Sequence, residues 1–418
     1  NGNRLSMSDP RGNSGKYDGD FTISYQYDDL NRLSEGFLPK SRDDAEKPVV
    51  KLTYDARGNL VERMEPDGLK LIYTYSPRNL LLTESMIGSG KTYRTEHFYD
   101  LVGNEIRVKD AKGNETTTQY DDLNRPTKIT YPERNSEQFE YDENGNRTAF
   151  LNGRNYRTEY QYDRYNRLVE TKEITSGTKT NYHYDRLGNM TRMTSPLDHT
   201  TDYRYDELNR LLEEVNPEGK SETYRYDAVG NMAWRQDRNG AVSSYEYLPN
   251  NLVKAITITK DDPTLGQKTQ VLEYDYDEAG LRKLARLDGV VTEYNTAHGV
   301  YRPDPYGRIY EETKSFAGKT STVEYQYDVM GRMTGVKYPT DQWVTYAYNN
   351  LGEITQVPGL IDEAPRYDEG GFLVGVTAAN QIATTYEYDR NGRLTILNYN
   401  NQSRELMKGY RLGYDGAN

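Results

Sequence analysis

Tyr162-Asp163-Arg164-Tyr165-Asn166-Arg167-Leu168 decides the fold, because the chain writes the same phrase repeatedly. Tyr184-Asp185-Arg186-Leu187-Gly188-Asn189, Tyr205-Asp206-Glu207-Leu208-Asn209-Arg210 and Tyr226-Asp227-Ala228-Val229-Gly230-Asn231 follow it at intervals of 22, 21 and 21 residues. Recurrence at a fixed period of this size marks a repeat architecture, in which each unit packs on its neighbours alone. Followed outward, the register runs from Tyr27 to Tyr414 in eighteen copies, with Pro303 in place of one tyrosine.

The most constant position is the fifth. It holds Gly or Asn in every copy, from Asn31 and Gly58 through Gly145, Asn166, Gly188, Asn209 and Gly230 to Asn418. Gly and Asn are the residues that most readily take a positive φ, so the column is a backbone requirement of a tight turn. The Asp at the second position can fold its carboxylate onto the N–H groups that follow; Ser76, Leu248 and Asn349 replace it in three copies. Each copy therefore reads as a strand ending in Tyr, a turn, and a strand restarting near Leu, which is a β-hairpin signal. The structural residues assigned on this basis are Tyr54, Asp55 and Gly58; Tyr141, Asp142 and Gly145; Tyr162, Asp163 and Asn166; Tyr184, Asp185 and Gly188; Tyr205, Asp206 and Asn209; and Tyr226, Asp227 and Gly230. A second turn per copy is written at Glu65-Pro66-Asp67-Gly68, Asp110-Ala111-Lys112-Gly113 and Asn216-Pro217-Glu218-Gly219. Two strands and two turns in 21 residues leave about 6–7 residues per strand. The fold class predicted is all-β, an array of antiparallel hairpins without a helix longer than a turn or two.

Composition agrees. A mean hydropathy of −0.98 and a hydrophobic share of 34% would suit disorder, but 40 tyrosines argue for a thin sheet. A tyrosine buries a large ring while its hydroxyl stays wet or bonded. The net charge of −12 is dispersed in alternating signs with no basic face, which excludes a nucleic-acid partner. With no cysteine there are no disulfides, thiolate chemistry or Cys-based zinc sites. No apolar run approaches the roughly 18 residues that span a bilayer, so no membrane insertion by this segment is expected.

Asn1-Gly2-Asn3-Arg4 matches Asn144-Gly145-Asn146-Arg147, and Asn418 is the fifth residue of its copy. Residues 1–418 are thus read as one continuous array, cut within a repeat at both ends and belonging to a longer protein. Lys40 to Lys47 reads as a charged solvated loop, Lys260 to Gly266 as an inserted loop, and the stretch through Asn398-Tyr399-Asn400-Asn401 as a longer loop.

The phrase Tyr-Asp-x-x-Gly/Asn-Asn/Arg-Leu, as in Tyr54-Asp55-Ala56-Arg57-Gly58-Asn59-Leu60 and Tyr388-Asp389-Arg390-Asn391-Gly392-Arg393-Leu394, resembles the YD-repeat or Rhs (rearrangement hotspot) family. That family includes bacterial Rhs toxins, the B and C components of Tc toxins, wall-associated proteins and teneurins. The resemblance implies a β-strip spiralling into a hollow shell that, in the bacterial toxins, encloses a C-terminal toxic domain. It implies a non-enzymatic scaffold, secreted or at the cell surface, whose partners are its own C-terminal cargo and neighbouring shell segments. A cell-surface adhesion or ligand-binding array, as in teneurins or wall-associated proteins, is the alternative. A sheet polar on both faces would suit a wall wet on both sides. The family's Asp-Pro-x-Gly-Leu closing segment is absent; its nearest match, Asp304-Pro305-Tyr306-Gly307-Arg308, reads as a proline-stiffened turn.

No catalytic, cofactor or metal residues are assigned. His97, His183, His199 and His298 show no metal spacing. Asp142-Glu143-Asn144-Gly145-Asn146 lacks the ligand spacing of a calcium loop.

Overall fold

The computed structural model describes residues 2–414, except 18, 263, 265, 298 and 299. Asn418 and His298 therefore lie outside the described residues. Within them the chain is nearly all-β, and thirty strands form one sheet. From Ser6–Ser8 to Trp343–Thr345, ribbon strands pair antiparallel with the next in sequence, as Arg157–Tyr162 does with Leu168–Glu173. One small hairpin, Thr296–Ala297 with Val300–Tyr301, is extruded between Val290–Tyr294 and Glu311–Phe316. A two-stranded pair and a five-stranded sheet from Ile361–Tyr367 to Leu406–Arg411 carry the meander to its end. Among the described residues the one helix is Pro10–Ser14, capped by Asp9, whose carboxylate accepts from Arg11 N at 2.8 Å.

Most copies among the described residues turn alike. Asn166 N donates to Asp163 O at 3.0 Å and Asp163 N to Arg167 O at 2.9 Å, a three-residue hairpin loop whose last residue is left-handed. Register then slips: Gln161 faces Glu170 but Tyr162 faces Leu168, so Val169 is an extra, bulged residue. The same slip falls at the Tyr of copy after copy, from Tyr27 to Tyr388. A bulge repeated at one place adds twist each time, which bends a long ribbon consistently.

The two faces are unlike. Tyr160 and Tyr162 point to one face and are half-buried, while Gln161 between them is exposed. Tyr182, Tyr184 and His183 repeat the arrangement, with His183 exposed. This corrects the expectation of a sheet polar on both sides: the tyrosine positions share a face with Leu168 and Thr171 across the strand. Only Phe21, Leu69, Ala149, Tyr310, Val336 and Val357 are buried apolar residues among those described, so there is no second layer and no thick core. Stability must come from nearest-neighbour contacts along the ribbon.

Three loop expectations are corrected. Lys260, Asp261 and Asp262 continue the strand Val253–Asp262, which pairs with Gly266–Tyr276, so the extra length there is a longer hairpin; Pro263 and Leu265 lie outside the described residues. Asn398, Tyr399 and Asn400 end the strand Leu394–Asn400, and the turn follows at Asn401. The segment 40–47 is not simply solvated. Ser41 is buried, Arg42 lies 4.6 Å from the Tyr310 ring centroid, and Asp43 accepts from Tyr327 N at 3.3 Å.

These last contacts join residues more than 260 positions apart, and they recur along the chain. The ribbon has come round and met itself.

Candidate functional edge and seam

The ribbon has two edges, one made of Tyr-Asp turns and one of plainer turns. On the Tyr-Asp edge, Asp163 Oδ1 accepts from Tyr165 N and Arg167 N at 2.8 and 3.1 Å, and Oδ2 accepts from Arg167 Nε at 2.7 Å. Asp185 treats Leu187 N, Asn189 N and Asn189 Nδ2 the same way, and Asp55, Asp206 and Asp227 match. Arg167 beside Asp163, and Asn189 beside Asp185, hold these carboxyls below the usual carboxylate range. The Asp142 carboxylate is likewise occupied by Asn146 N and Nδ2 at 2.8 and 2.9 Å. Asp304 accepts from Tyr306 N and Arg308 N, the usual turn pattern. In the copies with Ser76 and Asn349, the side-chain oxygen still accepts from the N–H two and four residues on.

The fifth-position residues have φ of 89° at Gly58, 88° at Gly145, 60° at Asn166, 94° at Gly188, 62° at Asn209 and 98° at Gly230. The plain-turn edge uses the same turn yet tolerates Arg134, Asp198, Asp341 and Gln381 at positive φ. The difference is chemical. On the Tyr-Asp edge Asn59, Asn146, Asn189 and Asn231 each donate Nδ2 to the Oδ1 of the next copy's fifth residue, Asn79, Asn166, Asn209 and Asn251, at 2.9–3.0 Å. Copies of the other kind reach forward with arginine. Arg167 Nη1 donates to Asp185 O at 2.8 Å, and its guanidinium lies 4.8 Å from the Tyr184 ring centroid. Arg32, Arg125 and Arg210 do the same to Asp55, Asp142 and Asp227. From Gly103 to Asn231, Gly-Asn copies thus alternate with Asn-Arg copies, and rungs of two kinds tie successive turns into a ladder. In these copies the tyrosine closes its unit by donating its hydroxyl to the carbonyl beside the preceding copy's bulge: Tyr54 to Leu33, Tyr141 to Pro126, Tyr162 to Arg147, Tyr184 to Leu168, Tyr205 to Met190 and Tyr226 to Leu211, at 2.8–3.1 Å. A neutral bond of this sort is worth about 1 kcal/mol, small singly and large when repeated.

Gly188→Ala tests the turn alone. Nothing lies within 4 Å of the position an added Cβ would take, so the cost is backbone strain at φ 94°, about 1 kcal/mol, felt locally. Gly188→Asn should cost less, since Asn209 holds the same turn position at φ 62°. Hydrogen exchange over residues 184–194 reads both; equal protection in wild type and Gly188→Ala would refute the assignment.

The seam joins the Tyr-Asp edge of residues 277–391 to the plain-turn edge of residues 67–135, with the N-terminal segment completing it. Arg332 Nη2 donates to Asp67 Oδ2 at 3.1 Å and Ser89 Oγ to Asn350 Oδ1 at 2.7 Å. Lys91 Nζ reaches both Glu353 oxygens at 2.9 and 3.1 Å, and Tyr93 donates to Glu353 as well. Lys112 Nζ meets Asp368 Oδ2 at 2.7 Å, and Asn391 Oδ1 accepts from Glu133 N at 3.2 Å. At the start of the chain Lys16 Nζ and Tyr17 Oη both donate to Glu278, at 2.5 and 2.6 Å. Arg11 is buried beside Asp277 and donates to Asp304 O at 2.7 Å.

The Lys16 and Tyr17 contacts pull the Glu278 carboxyl down to about 2, the lysine hydrogen bond being the main cause. A carboxyl whose folded value is depressed adds stability above its unfolded value, about 4.5, and loses it as pH falls toward 2. Exchange protection of residues 9–21 should therefore drop between pH 4.5 and 2, and Glu278→Gln should show less protection at neutral pH and a flatter pH response across that window. A pH response identical to wild type would contradict this.

Two family models match this chain: the teneurin YD-shell over residues 78–284 and the RHS repeat over residues 367–404. The chain carries repeats of the YD-repeat (Rhs) kind. Among curated proteins it is 24% identical to mouse Teneurin-3 over 393 residues, covering 87% of this chain and 12% of that protein. It is 26% identical to Double-stranded DNA deaminase toxin A of Burkholderia cenocepacia (strain H111) over 313 residues, covering 72% and 20%. Among solved structures it superposes on TcdB2-TccC3-TEV with a TM-score of 0.63 at 15% identity, covering 93% of this chain and 24% of that one. The Photorhabdus luminescens Tc holotoxin pore gives 0.57 at 15%, with the same coverage. This YD-repeat chain thus has a shell-type fold and spans a small part of its relatives' length.

The alternating Asn and Arg rungs, the seam pairs and Arg11 were not among the residues assigned from sequence. The rungs had a signal: Asn166-Arg167, Gly188-Asn189, Asn209-Arg210 and Gly230-Asn231 already alternate. The seam had none, because no spacing within one copy fixes how many copies make a circuit. Among the described residues no group of three His, Cys, Asp or Glu side chains could hold a metal ion, and no helix is long and apolar enough to cross a membrane.

Proposed function

We propose that this chain is a non-enzymatic wall segment of a hollow YD-repeat shell, enclosing a polypeptide cargo that follows it in the full protein and helping to deliver it outside the producing cell. The observation carrying this reading is the seam. Its contacts run from turn edge to turn edge, so the ribbon has not folded face to face into a sandwich. Between the turn at Asp110–Gly113 and its contact at Asp368 lie 26 strands, of which two form the extruded hairpin, leaving 24 in the ribbon. At ~4.8 Å per strand, 24 strands make a circuit of roughly 115 Å, an opening of the order of 35 Å across. Inward side chains narrow this to roughly 25 Å, room for a polypeptide kept unfolded and too narrow for a folded domain of ~100 residues with a radius of gyration of about 13 Å.

The relatives support the same reading by fold, and one is named a deaminase toxin. The edge carboxylates are occupied by their turns and the seam carboxylates by their partners. Residues 1–418 act in this reading as one continuous array. Limited proteolysis of the complete reading frame tests it. The segment after the array should resist protease while the shell is intact and become sensitive once the shell is unfolded. Immediate digestion of that segment, or a small-angle scattering profile of a solid particle, would sink the reading and favour a surface-binding array of the teneurin kind.

A further inference from the structure

The wall is held together by two unlike kinds of joint. Along the ribbon each strand meets the next through a ladder of backbone hydrogen bonds, as Arg157–Tyr162 meets Leu168–Glu173. Among the described residues no backbone–backbone hydrogen bond crosses the seam, where a side chain stands on at least one side of every contact. Glu133 N donates to Asn391 Oδ1 at 3.2 Å, Arg390 N to Glu133 Oε1 at 2.9 Å and Tyr327 N to Asp43 Oδ2 at 3.3 Å. The charged contacts are Lys91 with Glu353, Lys112 with Asp368 and Arg332 with Asp67, and in each the cation is part-exposed. The turns do not fill the space between the two edges. Cavities of about 730 and 400 Å³ flank Lys112, one against Lys91 and Tyr367, the other against Tyr131 and Arg390. Both open to solvent and are lined by charged and polar groups, so salt reaches the pairs beside them. Part-exposed ion pairs weaken as ions screen them, whereas neutral backbone ladders carry no net charge to screen.

We propose that the seam is a parting line of the wall: the circuits separate there as ionic strength rises, while the ribbon keeps its strands. The pairs stand on the same two edges, so parting at one of them opens its neighbours to the same ions. The ribbon is covalently continuous, which lets the edges meet again when the salt is withdrawn. A polypeptide behind the wall would gain a way through it without any strand unfolding. That consequence rests on the shell reading; the parting itself does not.

Hydrogen exchange of the complete reading frame in rising salt tests it, because the amides of Glu133, Tyr327 and Arg390 have their acceptors across the seam. Between ~0.1 and ~1 M salt the screening length falls from about 10 to about 3 Å. Peptides carrying these three amides should exchange about tenfold faster at the higher salt. Peptides within residues 157–173, which lie in the ladder, should keep their rates. The double variant Lys91→Met and Lys112→Met keeps the side-chain stems and removes two cations. Its seam peptides should exchange fast already at ~0.1 M and respond less to added salt, with residues 157–173 unchanged. Seam amides indifferent to salt would overturn the proposal, as would loss of protection in residues 157–173 in step with them. A double variant with wild-type protection and wild-type salt response would overturn it too, since the charges would then not be what holds the edges together.

Discussion

Arg11→Ala should detach the N-terminal segment from the rest of the wall and cost about 3–5 kcal/mol locally, the usual loss when a buried ion pair is stripped of one partner. Arg11 is only 3% exposed. It pairs with Asp9 at 2.5 Å, sits 3.6 Å from the fully buried Asp277 side chain, and donates to Asp304 O and Pro305 O at 2.7 and 3.1 Å. Its removal leaves Asp277 with Tyr301 as its side-chain neighbour, through a hydroxyl 3.0 Å away, along with the turn N–H groups. The ring of Phe21, 5.0 Å from the guanidinium, loses its cation as well. A repeat ribbon unfolds piecewise, so the loss should appear as faster hydrogen exchange in residues 9–21 and 277–310, with residues 140–250 unchanged. Unchanged protection at both ends would show that the cation is dispensable.

Glu353→Ala should open the middle of the seam by about 2–3 kcal/mol, the scale of hydrogen bonds to a charged group. Burial works against the charged form of Glu353, and the hydrogen bonds from Tyr93, Lys91 and Asn349 outweigh it, holding the carboxyl below its usual range. Without it Lys91 Nζ keeps its 3.4 Å contact with the Tyr93 hydroxyl but loses its carboxylate, and Asn349 Nδ2 loses its acceptor while Oδ1 keeps its turn N–H groups. The expected result is faster exchange in residues 88–93 and 349–367 together, although they are far apart in sequence. Glu353→Gln keeps the shape and loses the charge, so it should fall between. Loosening of one strand group without the other would mean that the two are not joined there.

The strands and turns were legible because one conformational demand is repeated until chance is excluded. Gly188 alone says little; Gly188 in a column with Asn166, Asn209 and Gly230 says that φ is positive at that place. The bulge at Val169 was not legible, since a branched aliphatic there looks like any strand residue. Neither was the docking of Ser41 and Arg42, whose charged neighbours suggested solvent. Ser41 is buried because Tyr310 lies on the next circuit, and no local pattern records a neighbour 269 residues away. The two-faced character was half legible: the alternation of Tyr160 and Gln161 was plain, but a low aliphatic content masked how thoroughly the tyrosines and leucines collect on one side.

The circuit length has a consequence for how such a chain can change. Asp67 meets Arg332, Lys91 meets Glu353 and Lys112 meets Asp368 at offsets of 265, 262 and 256 residues. Adding or deleting one 21-residue copy between Asn135 and Asp277 would slide all of these pairs out of step at once, setting Lys112 against the wrong tooth. Unequal recombination between near-identical units should therefore be selected against within the closed circuit, so that copy number is counted by geometry.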